Sequence, residues 1–179
     1  MRKIIEYTLV SADGVFTGTD ISAFSNYRDD AYMQDGLEQA LMSDAMLMGR
    51  NTYEGFAKIW PARTDPWAKR INALRKYVFS STLEKAEWNN STIIRGDVVA
   101  EVAKLKQQDG QDLLIYGHGL LGETLLKHHL LDILGLTIHP LIIGQGKHIL
   151  LKSDTTQLKL VTAKSFPKGI VKLTYEPQY

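Results

Sequence analysis

Cysteine is absent from this 179-residue chain, which excludes disulfides, thiolate catalysis and cysteine-bound zinc. Neither sign of charge dominates. The 21 Lys and Arg stand against 20 Asp and Glu, and a net charge of +1 gives no reason to expect nucleic acid or an anionic membrane as partner. Any phosphate binding must therefore be local. Long apolar runs are also missing: the stretch 130–136 is broken by Asp132 and Gly135, so no segment reads as a membrane span. Met1-Arg2-Lys3-Ile4-Ile5-Glu6 meets its acid before an apolar core develops, which argues against a cleaved signal peptide and makes the cytoplasm the expected compartment. The patterns G-x-S-x-G and G-x-x-x-x-G-K-[ST] do not occur, so hydrolase and P-loop readings lack an anchor. The five histidines show no metal-ligand spacing, and the adjacent His128 and His129 point to different faces, so no metal site is expected.

What is present reads as one domain over residues 1–179, with 44% hydrophobic and 23% charged residues, an ordinary globular balance. Strands are predicted over 3–10, 45–48, 77–79, 92–95, 113–116 and 135–139. Helices are predicted over 30–43, 53–59, 67–74, 98–108 and 123–131. In the first helix Met33, Leu37, Ala40 and Leu41 share a face, and Gly36 interrupts it. The tail reads as an antiparallel hairpin, 158–166 and 170–175 around Pro167-Lys168-Gly169, with Val171, Leu173 and Tyr175 expected on its covered face. The alternation implies an α/β fold of three layers: a mostly parallel central sheet, helices on both faces and a C-terminal antiparallel hairpin.

Three polar turns follow predicted strands. Gly117-His118-Gly119-Leu120-Leu121-Gly122 has the form G-x-G-x-x-G, but the next strand ends in His139-Pro140 rather than in the acid that would hold a ribose. A standard Rossmann dehydrogenase is thereby rejected, and the turn is kept as a phosphate cradle in which the backbone N–H of His118 matters more than its ring. Gly49-Arg50-Asn51-Thr52 places a permanently charged fork beside a helix start, which suits phosphate. A structural alternative is that Asn51 or Thr52 caps that helix, with Asn51 and Glu54 spaced as a capping box. Ser80-Ser81-Thr82 offers three hydroxyls at a strand exit, where a ribose or its phosphate would sit in an open α/β sheet.

Five segments together resemble the dihydrofolate reductase-like superfamily, in the branch of the RibD C-terminal (riboflavin-biosynthesis reductase) domain. They are Ser11-Ala12-Asp13-Gly14, Met48 to Glu54, Phe79 to Thr82, Tyr116 to Gly119 and His139 to Gly146, in the family's order. The resemblance implies an NADPH-dependent reductase acting on a small heterocycle, pterin-like or ribosylaminopyrimidine-like. It implies that Gly49, Arg50, Asn51 and Thr52 bind the pyrophosphate and adenosine end. Ser80, Ser81 and Thr82 would lie near the 2′-phosphate, and Gly117, His118, Gly119, Leu120 and Leu121 would cradle the central phosphates. Ala12, Asp13 and Gly14 would lie near the nicotinamide. Proteins of this kind are often homodimers. Counting back from the Gly-Arg turn, the position of the dihydrofolate reductase acid is Met33, with Asp30 and Asp35 nearby. Before the last predicted parallel strand the family's usual Asp-Glu reads Asp132-Ile133. Asp13, Asp30 and Asp35 are the acids to test as proton donor or orienter. The alternatives are a nucleotide-binding protein without turnover and a true dihydrofolate reductase.

Overall fold

The computed structural model describes residues 1–17, 21–149 and 154–179. Short apolar runs become strands where Gly or Asp turns stop them, and the helices between them have one apolar side. In chain order the elements are β1 (Ile4–Ser11), β2 (Val15–Thr17), a 3-10 turn (Ile21–Tyr27), α1 (Asp30–Leu41), β3 (Ser43–Gly49), α2 (Arg50–Ile59), a second 3-10 turn (Trp60–Ala62) and α3 (Pro66–Ala73). Then come β4 (Arg75–Phe79), β5 (Ser91–Ile94), α4 (Val98–Gln107), β6 (Asp112–Tyr116), α5 (Leu120–Lys127), β7 (Ile133–His139), β8 (Lys147–His148), β9 (Gln157–Ser165) and β10 (Val171–Gln178).

Eight strands form one sheet in the order β5-β4-β3-β6-β1-β7-β10-β9. The first six are mutually parallel, and the C-terminal pair closes the edge antiparallel. β2 and β8, which the sequence analysis did not anticipate, make a separate small ribbon. One core lies under α1, α2 and α3, around Met46, Met48, Trp67, Ile71 and Leu114. The other lies under α4 and α5, around Leu47, Val102, Leu113, Leu125 and Leu134. Helices thus cover both faces, as expected.

Two faces differ from expectation. In α1 the inward residues are Tyr32, Asp35, Gly36 and Ala40, whereas Leu41 is 51% exposed. In β10 the alternation holds but the sense is reversed: Lys172 is 8% exposed and Val171 36%. One contact explains both reversals. Lys172 Nζ donates to Asp35 Oδ2 at 2.5 Å, so each charge is buried with its partner. Gly36 has its own reason to be in a helix, because a Cβ there would stand 2.7 Å from the Trp67 ring. Gly36→Ala should therefore lower stability by about 1–3 kcal/mol despite alanine's better helix propensity. A thermal melt of the variant checks this; an unchanged midpoint would show that Trp67 yields freely.

Candidate functional site

Parallel pairing fixes where the strand exits go. Gly49, the last residue of β3, lies opposite Phe79, the last of β4, which in turn lies opposite Ile94, the last of β5. β6 ends at Tyr116 opposite Tyr7, and β1 and β7 run on together to Ser11 and His139. The three polar turns and Ala12-Asp13-Gly14 therefore line one rim of one sheet.

The helices that follow β3 and β6 start differently from the others. α1, α3 and α4 are capped by Asp29, Asp65 and Asp97, whose carboxylates accept the N–H of Tyr32, Ala68 and Ala100. α2 and α5 begin instead at Gly49 and Gly119, with no side-chain cap. Asn51 and Thr52 lie inside α2 rather than before it, so the capping-box alternative does not hold, and Glu54 pairs with Arg50 at 2.7 Å. A Cβ at Gly49, Gly117 or Gly119 would meet nothing within 4 Å, and Gly117 and Gly119 have φ of +84° and +145°. Two helix starts with unpaired donors and clear space before them fit the phosphates of a nucleotide cofactor.

The Gly49–Thr52 and Ser80–Thr82 turns are joined directly: Arg50 Nη1 donates to Thr82 Oγ1 at 2.7 Å. Ser80 Oγ accepts the N–H of Thr82 and of Leu83, which shapes its turn and leaves its O–H to donate outward. Arg95, which the sequence reading missed, donates to the carbonyls of Ser81 and Leu83 and adds a second guanidinium. Ser81 and Thr82 are exposed, as is Leu120 at 80%, while Leu121 is half-buried. In the turn after β1, Ala12 is exposed and Gly14 takes φ +83°.

Asp13 ties loops together. It accepts from the Ser11 hydroxyl and from the N–H of Ile143 and Gly144. The Ser11 hydroxyl first, then the Gly144 N–H, hold it down to about 2, so it is ionised at neutral pH. His118 has a second task that its position between glycines hid. Its ring is buried against Glu6 of β1, with Nδ1 2.6 Å from Oε1. Burial opposes protonation of His118, but the hydrogen bond to Glu6 and its charge prevail and raise it above its ordinary 6.5. A Cβ at Gly122 would collide with both partners, which explains the third glycine of the motif.

The remaining acids part company. Asp30 is exposed in the first turn of α1. Asp35, not Met33, is the acid that α1 turns to the sheet. Lys164 Nζ donates to Oδ1 at 2.7 Å, while Lys172 Nζ and Gln39 Nε2 donate to Oδ2. Burial works against its charge, but Lys164 and then Lys172 outweigh it and hold Asp35 below the ordinary carboxylate range. Three phenols stand around it. Burial and then the Asp35 charge push Tyr7 up to about 12. Tyr32 is also raised to about 12, chiefly by burial. Tyr116 accepts from Trp67 Nε1 at 3.2 Å. Sequence reading missed Tyr7, Tyr32, Tyr116, Lys164 and Lys172; alternation in β10 was a usable signal, but it suggested the wrong side.

A hollow of about 460 Å³, lined by Arg75, Tyr77, Trp88 and Thr92 among others, lies where β4 and β5 start, away from this rim. No helix among the described residues is long and apolar enough to cross a membrane.

A family model described as the RibD C-terminal domain matches residues 2–172. Among curated proteins, the uncharacterized protein YyaP of Bacillus subtilis (strain 168) is 31% identical over 182 residues, covering 97% of this chain and 94% of that protein. Among solved structures, a Shewanella sp. PV-4 protein attributed to riboflavin biosynthesis superposes with a TM-score of 0.76 at 19% identity, covering 99% of each chain. The Thermotoga maritima diaminohydroxyphosphoribosylaminopyrimidine deaminase/5-amino-6-(5-phosphoribosylamino)uracil reductase gives a TM-score of 0.69 at 16% identity, covering 99% of this chain but 57% of that longer one. At such identities these two structures establish the fold.

Proposed function

Because this chain belongs to the RibD C-terminal domain family, we propose that it is a reductase that binds NADPH along the rim and reduces a small heterocyclic substrate. The observation that carries the reading is the pair of helices with glycine caps and open donors, α2 and α5, on the same rim as the Ser80 turn. NADPH, when bound, supplies the hydride. Arg50 and the first N–H groups of α2 hold the pyrophosphate and adenosine end, and the start of α5 holds the central phosphates. Ser80, Ser81 and Thr82 meet the 2′-phosphate, and Ala12, Asp13 and Gly14 flank the ring that reacts. Asp13 keeps that turn in place rather than moving a proton.

Calorimetry with NADPH tests the binding, and loss of NADPH absorbance with 5-amino-6-(5-phosphoribosylamino)uracil, the compound in the Thermotoga relative's name, tests the reaction. No heat with either reduced pyridine nucleotide would end the proposal. Binding without turnover would support the second reading, a nucleotide-binding protein, which the pairing of Asp35 with two lysines favours. Cofactor choice has its own test. Ser81→Ala and the Ser80/Ser81 double alanine variant should weaken NADPH about tenfold while sparing NADH, since only NADPH brings the extra charged acceptor. Equal loss for both nucleotides would remove these serines from the 2′-phosphate.

A further inference from the structure

Asp35 is the acid that α1 turns inward, yet both of its oxygens are already engaged. Its oxygens accept from Lys164, Lys172 and Gln39, and two of those donors are cations. An ionised carboxylate has no proton to give, and one filled by donors does not offer the paired acceptors that an amidine-bearing heterocycle needs. Lys172 is the opposite case. An ammonium carries three N–H bonds, and one of these goes to Asp35. Its side chain is only 10% exposed, and Nζ stands 5.3 Å from the Tyr7 ring centroid.

Strand register links Lys172 to the cradle across the run β6-β1-β7-β10. Tyr7 pairs with Tyr116, the last residue of β6. Leu9 pairs with Thr137, which pairs with Lys172, so Lys172 lies one pleat nearer the rim than the end of β6. Gly117, where the cradle begins, donates its N–H to the Tyr7 carbonyl at 2.8 Å. A single residue, Tyr7, thus connects the cradle to the ammonium.

We propose that Lys172 is the group that meets the substrate, donating to the acceptor end of a C=O or C=N bond and giving it the proton, while Asp35 is a positioning residue. This rests on the reductase reading above. The substrate carbon gains a hydride, with its electron pair, from a reduced nicotinamide. The π pair moves to the oxygen or nitrogen. An N–H bond of Lys172 breaks as the new O–H or N–H bond forms, and the neutral amine then regains a proton from water.

The first test needs neither cofactor nor substrate. In calorimetric titration with 2,4-diaminopyrimidine the wild-type protein should not bind. K172M should gain at least about tenfold in affinity, and K164M/K172M more, because the released carboxylate can then pair with the amidine. Tight binding to wild type, or no gain in variants that still melt cooperatively, overturns the proposal. K172Q stands in if K172M does not fold. The second test follows NADPH oxidation with 5-amino-6-(5-phosphoribosylamino)uracil. K172M should lose about 100-fold in kcat with KM little changed, K172R should recover part of it, and K164M should lose less than tenfold. A K172M variant with wild-type kcat overturns the proton role. If wild type itself turns nothing over, it is the reductase reading that fails, and the diaminopyrimidine titration still decides whether Lys172 occupies Asp35.

Discussion

Glu6→Ala should destabilise the protein by about 3–5 kcal/mol, because it takes from a buried imidazole the carboxylate it is hydrogen-bonded to. Glu6 and His118 are both without exposed side-chain surface, in the centre of the sheet and at the start of α5. The pair also gives stability a pH dependence with a definite sign. His118 is raised above 6.5 in the folded protein, so its contribution is complete below 6.5 and is lost as pH climbs through the folded value. His139 does the reverse. Buried among Phe24, Tyr27 and Tyr32, it is lowered chiefly by burial, and its Nδ1–H donates to the Thr137 carbonyl. The unfolded chain takes up that proton more readily, so this contribution grows as pH rises toward 6.5.

The two slopes oppose each other in the wild-type protein, and variants should separate them. His139→Asn should leave stability falling as pH rises above 6.5. The E6Q/H118N double variant, which keeps the pair neutral, should leave stability rising from pH 5 to 6.5. Urea midpoints across pH 5–8 read both. Parallel curves for wild type and both variants would mean that neither ring changes its protonation on unfolding.

Arg50→Ala should weaken NADPH and NADH alike, by about tenfold to a hundredfold, and flatten the salt dependence of binding. Arg50 is held at the rim from two sides, by Glu54 at 2.7 Å and by Thr82 at 2.7 Å, so its fork is positioned before any ligand arrives. Because the ion pair with Glu54 is exposed, its loss should cost the fold little. Affinity and stability therefore separate in this variant, in contrast to Glu6→Ala. Calorimetry at two salt concentrations decides it. Affinity within twofold of wild type would place the pyrophosphate elsewhere.

The strands were legible in the chain because their apolar runs stop at turn-forming residues: 45–48 at Gly49, 113–116 at Gly117, and 77–79 at Ser80. Helix starts were less legible. α2 and α5 each begin three residues before the predicted start, since a glycine cap leaves no side-chain signal and the first turn reads as loop. Asp35 was among the acids named, but counting back from Gly49 pointed to Met33. A count along the chain does not say which side of a helix meets the sheet, and the packing of Gly36 on Trp67 settles that. Lys172 was assigned outward because an isolated lysine in an alternating strand belongs in water.

By itself the sequence determined the α/β layers and the three polar turns, because periodicity and turn chemistry act over a few residues. Only the tertiary structure decided which charges are inside. Burying Lys172 requires a partner, and that partner, Asp35, lies 137 residues away along the chain. Glu6 and His118 are likewise 112 residues apart. The free energy of a buried charge depends on what faces it, and local sequence does not contain the facing residue.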